Sequence, residues 1–220
     1  MTLQEEIDRA LRYFTNEEHD ESFIQLEGGG GVLFSAPHAV LQTRNGRLKC
    51  AERFTGMLCM LLNSRCGRPA IYKARHLNDD ANHDAVSDYR DALCDAVRSH
   101  GIRCVLDLHQ LKPSRPMELC IGTGYGANLC GFSDAPAIVT GCFRNAGFTR
   151  LTIDDPFAAS REHTVSATVA AQCGVPCMQL ELNTGLLMRE SDAYRFERVL
   201  EALEETAARL DAALGNEGSR

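Results

Sequence analysis

The sequence predicts an α/β fold: a single domain over residues 1–220, three layers deep (α/β/α), on a mixed, largely parallel sheet. Three observations predict it. Short aliphatic runs alternate along the whole chain with segments whose apolar residues recur at three- and four-residue spacing. Glycine, proline and polar clusters punctuate the alternation. A length of 220 residues supports one substantial core and does not call for a second.

The elements follow in order. "MTLQEEIDRALRYF" carries Leu3, Ile7 and Leu11 at helical spacing and reads as an amphipathic helix, and "TNEEHDES" is a polar linker. "FIQLEGGGGVLFSA" reads as two short strands joined at the four glycines, which supply the positive φ angles of a tight reversal. A loop, "QTRNGRLK", leads to a helix in which Phe54, Met57, Leu58, Leu61 and Leu62 share a stripe and Gly67 ends it. Then come strand "PAIYKA", loop "RHLNDDANHD", and a helix with Val86, Tyr89, Leu93 and Val97 inward. "IRCVLDLH" is the clearest buried strand. The second half continues with strand "MELCIGT", a glycine loop, a helix from about Ser133 to Ala146, strand "TRLTID", a helix from about Thr164 to Gln172, strand "CMQLELN" and a final helix from about Ser191 to Leu214.

Composition excludes several classes of function. The formal charge of −7 and the lack of a dense Lys/Arg cluster argue against a nucleic-acid partner. No apolar run is long enough to span a bilayer, and the N-terminus has no signal-peptide pattern, so the expected location is the cytoplasm. The ten cysteines sit mostly in apolar periodic segments and read as buried thiols. Cys173 and Cys177 have no second pair at zinc-ribbon spacing.

Three strand ends carry residues that a core would not choose. "VLFSAPH" delivers His38, held by Pro37; "CVLDLH" delivers Asp107 and His109; "CMQLELN" delivers Gln179, Glu181 and Asn183. Strand side chains alternate, so Asp107 and His109 share one direction, as do Gln179, Glu181 and Asn183. In sheets of this kind ligands bind beyond the carboxyl ends of the strands. Two histidines from separate strand ends, with one carboxylate, suit a zinc ion with an open position for water. Such an ion lowers the pKa of its water and polarises the carbonyl under attack. Glu181 is then placed to take the water's proton and return it to the leaving amine, with burial raising its pKa toward working pH. Asp107 suits orientation of an imidazole, and Gln179 and Asn183 suit either the site or a buried polar network.

With these residues the chain resembles the N-formylglutamate amidohydrolase family, a branch of the zinc carboxypeptidase-like hydrolases. The matching pieces are "SAPHAV", "DLHQ", "IGTGYG", "IDDPF" and "MQLELNTGLLMRE", in the family's order across nearly the whole chain. The resemblance implies the phosphorylase/hydrolase-like fold of the zinc carboxypeptidases and metal-dependent hydrolysis of an N-acyl amino acid such as N-formylglutamate. It implies His38 and His109 as ligands of one Zn2+ (Mn2+, Co2+ or Fe2+ as substitutes) and Glu181 as the acid/base. The carboxypeptidase relatives place a glutamate three residues after the first histidine, where this chain has Leu41. Glu52 is the best substitute, although a carboxylate at that point also suits the first turn of a helix; Asp80 is the runner-up. "DDANHD" resembles a D-x-N-R segment that grips a substrate carboxylate, with Asp80 and Asn82 matching and His83 in place of arginine. Arg44, Arg75, Arg161 and Arg189 are the candidate replacements. Thr123 in "GTGYG" and His163 are expected near the site, and Thr164 either lines it or caps a helix.

Three functions compete at this point. The first is hydrolysis of an N-formyl or other N-acyl group from an acidic amino acid. The second keeps the site but cuts a peptide or a peptidoglycan fragment, for which so short a chain leaves little room to build an extended cleft. The third is a noncatalytic metabolite- or metal-binding member with cysteines used in redox sensing, favoured by Leu41 and His83 and opposed by Glu181 and the histidines.

Overall fold

Helix α1 (Leu3–Thr15) opens the computed structural model, which describes residues 2–16, 19–187 and 193–217. Thr2 and Glu5 exchange side-chain-to-backbone hydrogen bonds in a capping box, and Ile7, Ala10 and Phe14 are buried. The chain continues through β1 (Phe23–Leu26), β2 (Val32–Ala36), β3 (Gln42–Arg44), β4 (Arg47–Lys49), α2 (Arg53–Cys66) and β5 (Ala70–Lys73). Then follow α3 (Asp88–Ser99), β6 (Cys104–Leu111), β7 (Leu119–Gly122), α4 (Ala135–Asn145), β8 (Leu151–Ile153), α5 (Val165–Cys173), β9 (Cys177–Asn183) and α6 (Ala193–Glu217). The expected start of the last helix at Ser191 lies outside the described residues.

The main sheet has seven strands in the order β1-β5-β2-β6-β9-β7-β8. The pairs β5/β2, β2/β6, β6/β9 and β7/β8 are parallel, while β1/β5 and β9/β7 are antiparallel. This is the mixed, largely parallel sheet that the alternation predicts.

Four local expectations are corrected. β1 and β2 do not form a hairpin, because β5 lies between them. Of the four glycines only Gly30 has a positive φ, at 90°. A side chain at Gly28 would come within 2.4 Å of the Gly67 carbonyl oxygen, so that residue permits close passage over the α2–β5 turn. The "QTRNGRLK" loop is itself a hairpin, β3–β4, turned by Asn45 (φ 52°) and Gly46 (φ 71°), the left-handed pair that a two-residue turn requires. Val86 is 79% exposed, because it precedes the Ser87 cap of α3 and lies off the helix stripe.

Strand alternation divides the core in two. Val32, Phe34, Leu106, Leu108, Met178 and Leu180 face a cluster with α1, α2, α4 and α6, while Leu33, Ile71, Val105 and Cys177 face α3 and α5. Ser35, Asp107, His109, Gln179 and Glu181 have the parity of this second set. On their face two helices cover the sheet, and the C-terminal halves of β6 and β9 extend beyond them toward a cavity. Among the described residues no helix is long and apolar enough to cross a membrane. All ten cysteines are free, and six are buried, as their apolar surroundings predict.

Candidate functional site

Three segments bring His38, Glu52 and His109 together. His38 follows β2, and its carbonyl accepts a 2.7 Å hydrogen bond from the Glu52 N–H, which stitches together the two ends of the segment that carries the β3–β4 hairpin. Glu52 is the N-cap of α2, yet its side chain makes no cap hydrogen bond. Its carboxylate instead turns toward the histidines and accepts a 3.0 Å hydrogen bond from the Gln110 N–H. Its carboxylate thus sits against the histidines and does not cap the helix by a hydrogen bond. Gln110, which sequence reasoning overlooked, also accepts from the Phe54 N–H at 3.0 Å and so fixes the start of α2 against β6.

The imidazoles meet edge to face, with centroids 4.7 Å apart. Nδ1 of His38 lies 3.2 Å from Glu52 Oε1, and Nδ1 of His109 lies 3.2 Å from Glu52 Oε2. Behind each ring stands a second carboxylate. His38 Nε2 is 2.9 Å from Asp80, and His109 Nε2 is 3.0 Å from Asp107. A carboxylate that accepts the Nε2–H leaves the Nδ1 lone pair for a cation. Ligand atoms of His38, Glu52 and His109 lie within 4.8 Å of one another, and two nitrogens with one carboxylate oxygen fit zinc. Asp80, the runner-up ligand, lies on the far nitrogen of His38 and also takes Arg44 Nε at 2.7 Å, so it orients the ring.

The charges are strongly coupled. Burial acts to lower the His38 pKa, but Glu52 and Asp80 outweigh it and raise it; burial is likewise outweighed at His109 by Asp107 and Glu52, and its pKa lies well above the ordinary value. Burial acts to raise Glu52, yet the two imidazoles hold it down at about 2. Glu181 behaves oppositely. Burial pushes its carboxyl up to about 7, against the pull of His109.

Glu181 ends a directed chain of hydrogen bonds. The Val165 N–H at the start of α5 donates to Asn82 Oδ1 (2.6 Å), Asn82 Nδ2 to Gln179 Oε1 (3.4 Å), and Gln179 Nε2 to Glu181 Oε1 (2.9 Å). The Asn82 amide is thereby engaged within the protein. Where the D-x-N-R segment would carry arginine, the His83 ring faces Asn45 at the hairpin turn.

His38, Glu52, Asn82, His109, Gln179 and Glu181 line a cavity of about 1450 Å³. Its wall includes the cations Arg44, Lys49, Arg53, Lys112, Arg115 and Arg161, and Arg115 stacks over Phe157 at 5.3 Å. Lys112 and Arg115 carried no sequence signal, because each lies in a loop without periodicity, and Phe157 stood out only as the end of "IDDPF". Not every expected residue arrives here. Thr123 bonds to Asp154 and lines a separate pocket beside α4. The Asn183 amide donates to the Arg115 and Met117 carbonyls and closes the end of β9. His163 offers its backbone carbonyl to Arg90, and its ring is not in the cavity wall. Arg75 is exposed and away from the cavity, and Arg189 lies outside the described residues. Thr164 does both things expected of it, capping α5 and lining the cavity.

A scan against protein-family models found no match, and a search of curated proteins found none. Solved structures do match. An N-formylglutamate amidohydrolase from Ralstonia eutropha JMP134 aligns over 89% of this chain and 99% of its own, at 17% identity and a TM-score of 0.59. A bacteriophage poly-gamma-glutamate hydrolase aligns over 92% and 95% at 15% identity and a TM-score of 0.59. A gene product of Agrobacterium tumefaciens aligns over 90% and 98% at 14% identity and a TM-score of 0.61. The chain thus has the fold of the N-formylglutamate amidohydrolase and the poly-gamma-glutamate hydrolase, which is the fold its sequence resemblance implies.

Proposed function

We propose that this protein is a metal-dependent amidohydrolase that removes an N-formyl or other N-acyl group from an acidic amino acid resembling glutamate. The convergence of two Nδ1 atoms on Glu52, each ring backed by its own carboxylate, carries the reading. His38, Glu52 and His109 would hold one zinc ion, with manganese, cobalt or iron as substitutes. Zinc bound there would supply Lewis-acid activation of the amide carbonyl and the attacking water.

The chain's own groups do the rest. Gln179 occupies Oε1 of Glu181, and Oε2, which has no hydrogen-bond partner among the described residues, is the oxygen that moves the proton. With its carboxyl at about 7, Glu181 takes the proton from water as the C–O bond forms and gives it to the amine nitrogen as the C–N bond breaks. Arg161, Arg115 and Lys112 on the cavity wall suit the substrate's carboxylates. We place this catalysis in the cytoplasm, and the formal charge of −7 disfavours a nucleic-acid partner.

The cavity favours a second reading. Its volume of about 1450 Å³ exceeds the range of about 300–1,000 Å³ usual for small ligands. A chain of 220 residues is expected to leave little room for an extended cleft, and this volume is what favours the second reading. An acidic chain of amide-linked residues, as the name of the phage hydrolase suggests, would fill it better than one amino acid. The test is metal analysis of the purified protein, then turnover of N-formylglutamate, other N-acyl amino acids, γ-linked oligoglutamate and muropeptides. Absence of stoichiometric metal, with no activity restored by any of the four ions, overturns the proposal. Preference for the oligomer selects the second reading.

A further inference from the structure

Beyond the residues that face the cavity, a polar cluster is buried behind His109. Ser35 stands in the middle of β2, fully buried, in register with Ile71 on one side and Asp107 on the other. Its neighbours Val32, Leu33, Phe34 and Ala36 are all buried apolar residues, so packing does not ask for a hydroxyl there. The Ser35 hydroxyl lies 2.8 Å from Asp107 Oδ1 and 2.9 Å from the hydroxyl of Tyr89. Tyr89 reaches in from α3 and is 1% exposed. Its oxygen accepts from the Ala36 N–H at 3.0 Å and also lies 3.0 Å from the Ile71 carbonyl.

Hydrogen accounting gives this cluster a direction. The carboxylate is the strongest acceptor present, so the one Ser35 proton goes to Asp107 Oδ1. The Tyr89 proton then divides between Ser35 and the Ile71 carbonyl, while its oxygen is filled by the Ala36 N–H. Among the described residues Asp107 pairs with no arginine or lysine; its two oxygens face Ser35 and His109. The other imidazole is held differently, since Asp80 behind His38 is fixed by Arg44 at 2.7 Å and by the Asn82 N–H at 3.0 Å.

Resting on the metal-site reading above, we infer that Ser35 and Tyr89 are positioning residues for His109, acting through Asp107 to hold its Nδ1 toward the cation, independently of the Arg44–Asp80 anchor on His38. With Oδ1 pinned by Ser35, Oδ2 is fixed in the plane where it accepts the His109 Nε2–H. Without that pin the Asp107 carboxylate can rotate, and a buried oxygen is left without a partner.

The test uses the 220-residue chain, stripped of metal and titrated with zinc against a chromophoric chelator. The ¹⁵N signals of the histidine rings are then recorded in the zinc-loaded protein. Ser35→Ala is expected to weaken zinc binding about tenfold, and to shift the His109 ring signals while those of His38 stay in place. Ser35→Thr keeps the hydroxyl and should restore both, and Arg44→Ala should move the His38 signals alone. Parent-like affinity with unshifted His109 signals in Ser35→Ala overturns the inference, as do equal shifts at both rings. If Ser35→Ala does not fold, Tyr89→Phe carries the same two readouts. Should the parent chain take up no zinc, the metal-site reading itself falls, an outcome distinct from zinc binding that ignores Ser35.

Discussion

His109 on β6 and Glu181 on β9 are register partners, side by side on the same face of the central parallel pair. Neighbouring strands lie about 4.8 Å apart, so this pairing sets the distance between the proposed ligand and the proposed acid/base through backbone hydrogen bonds. Two register positions inward, Asp107 faces Gln179, so each of the pair has its orienting partner two residues back along its own strand.

That arrangement separates metal binding from proton transfer. Glu181→Gln keeps the shape and loses the proton carrier, so hydrolysis should fall by about 10²–10⁴-fold while zinc stoichiometry stays at the parent value. Retained turnover in this variant would remove Glu181 from the reaction.

Zinc affinity should rise with pH. His38 and His109 have raised pKa values, so both hold protons to higher pH than a free imidazole, and a cation must displace them. Binding constants measured from pH 6 upward should increase by about tenfold per pH unit for each proton released. Calorimetry in buffers of different ionisation enthalpy counts those protons, and a flat profile contradicts the ligand assignment.

In the metal-free chain, Glu52 should govern part of the acid limb of stability. Its folded pKa of about 2 lies below the ordinary 4.5, so its contribution is complete above 4.5 and is lost as pH falls toward 2. Glu52→Gln should flatten the denaturation profile across that window, and it should also weaken zinc binding. An unchanged acid limb would show that Glu52 is not held between charged imidazoles.

Among the cavity cations, Arg161 is exposed and has no ion-pair partner among the described residues, whereas Arg44 is tied to Asp80. Arg161→Ala should raise KM for an acidic substrate by about tenfold, the equivalent of one charged hydrogen bond, with kcat little changed. Arg75→Ala, outside the cavity, serves as the control. Equal effects of the two would assign the carboxylate grip elsewhere.

The sequence by itself determined the alternation of strands and helices and the faces of β6 and β9, because side-chain direction in a strand repeats every two residues and needs no knowledge of neighbours. His109 and Glu181 were legible for that reason, as was Thr164 as a cap. Only the tertiary structure decided what lies beside what. It put β5 between β1 and β2, swung Glu52 from a helix start to the histidines, set Asp80 behind His38, and took Thr123 into a different pocket. Ser35 reads as one odd polar residue in an apolar strand until β6 brings Asp107 alongside. These outcomes depend on contacts between residues far apart in the chain, such as Ser35 with Asp107 and Asn82 with Gln179, and local periodicity carries no record of such pairings.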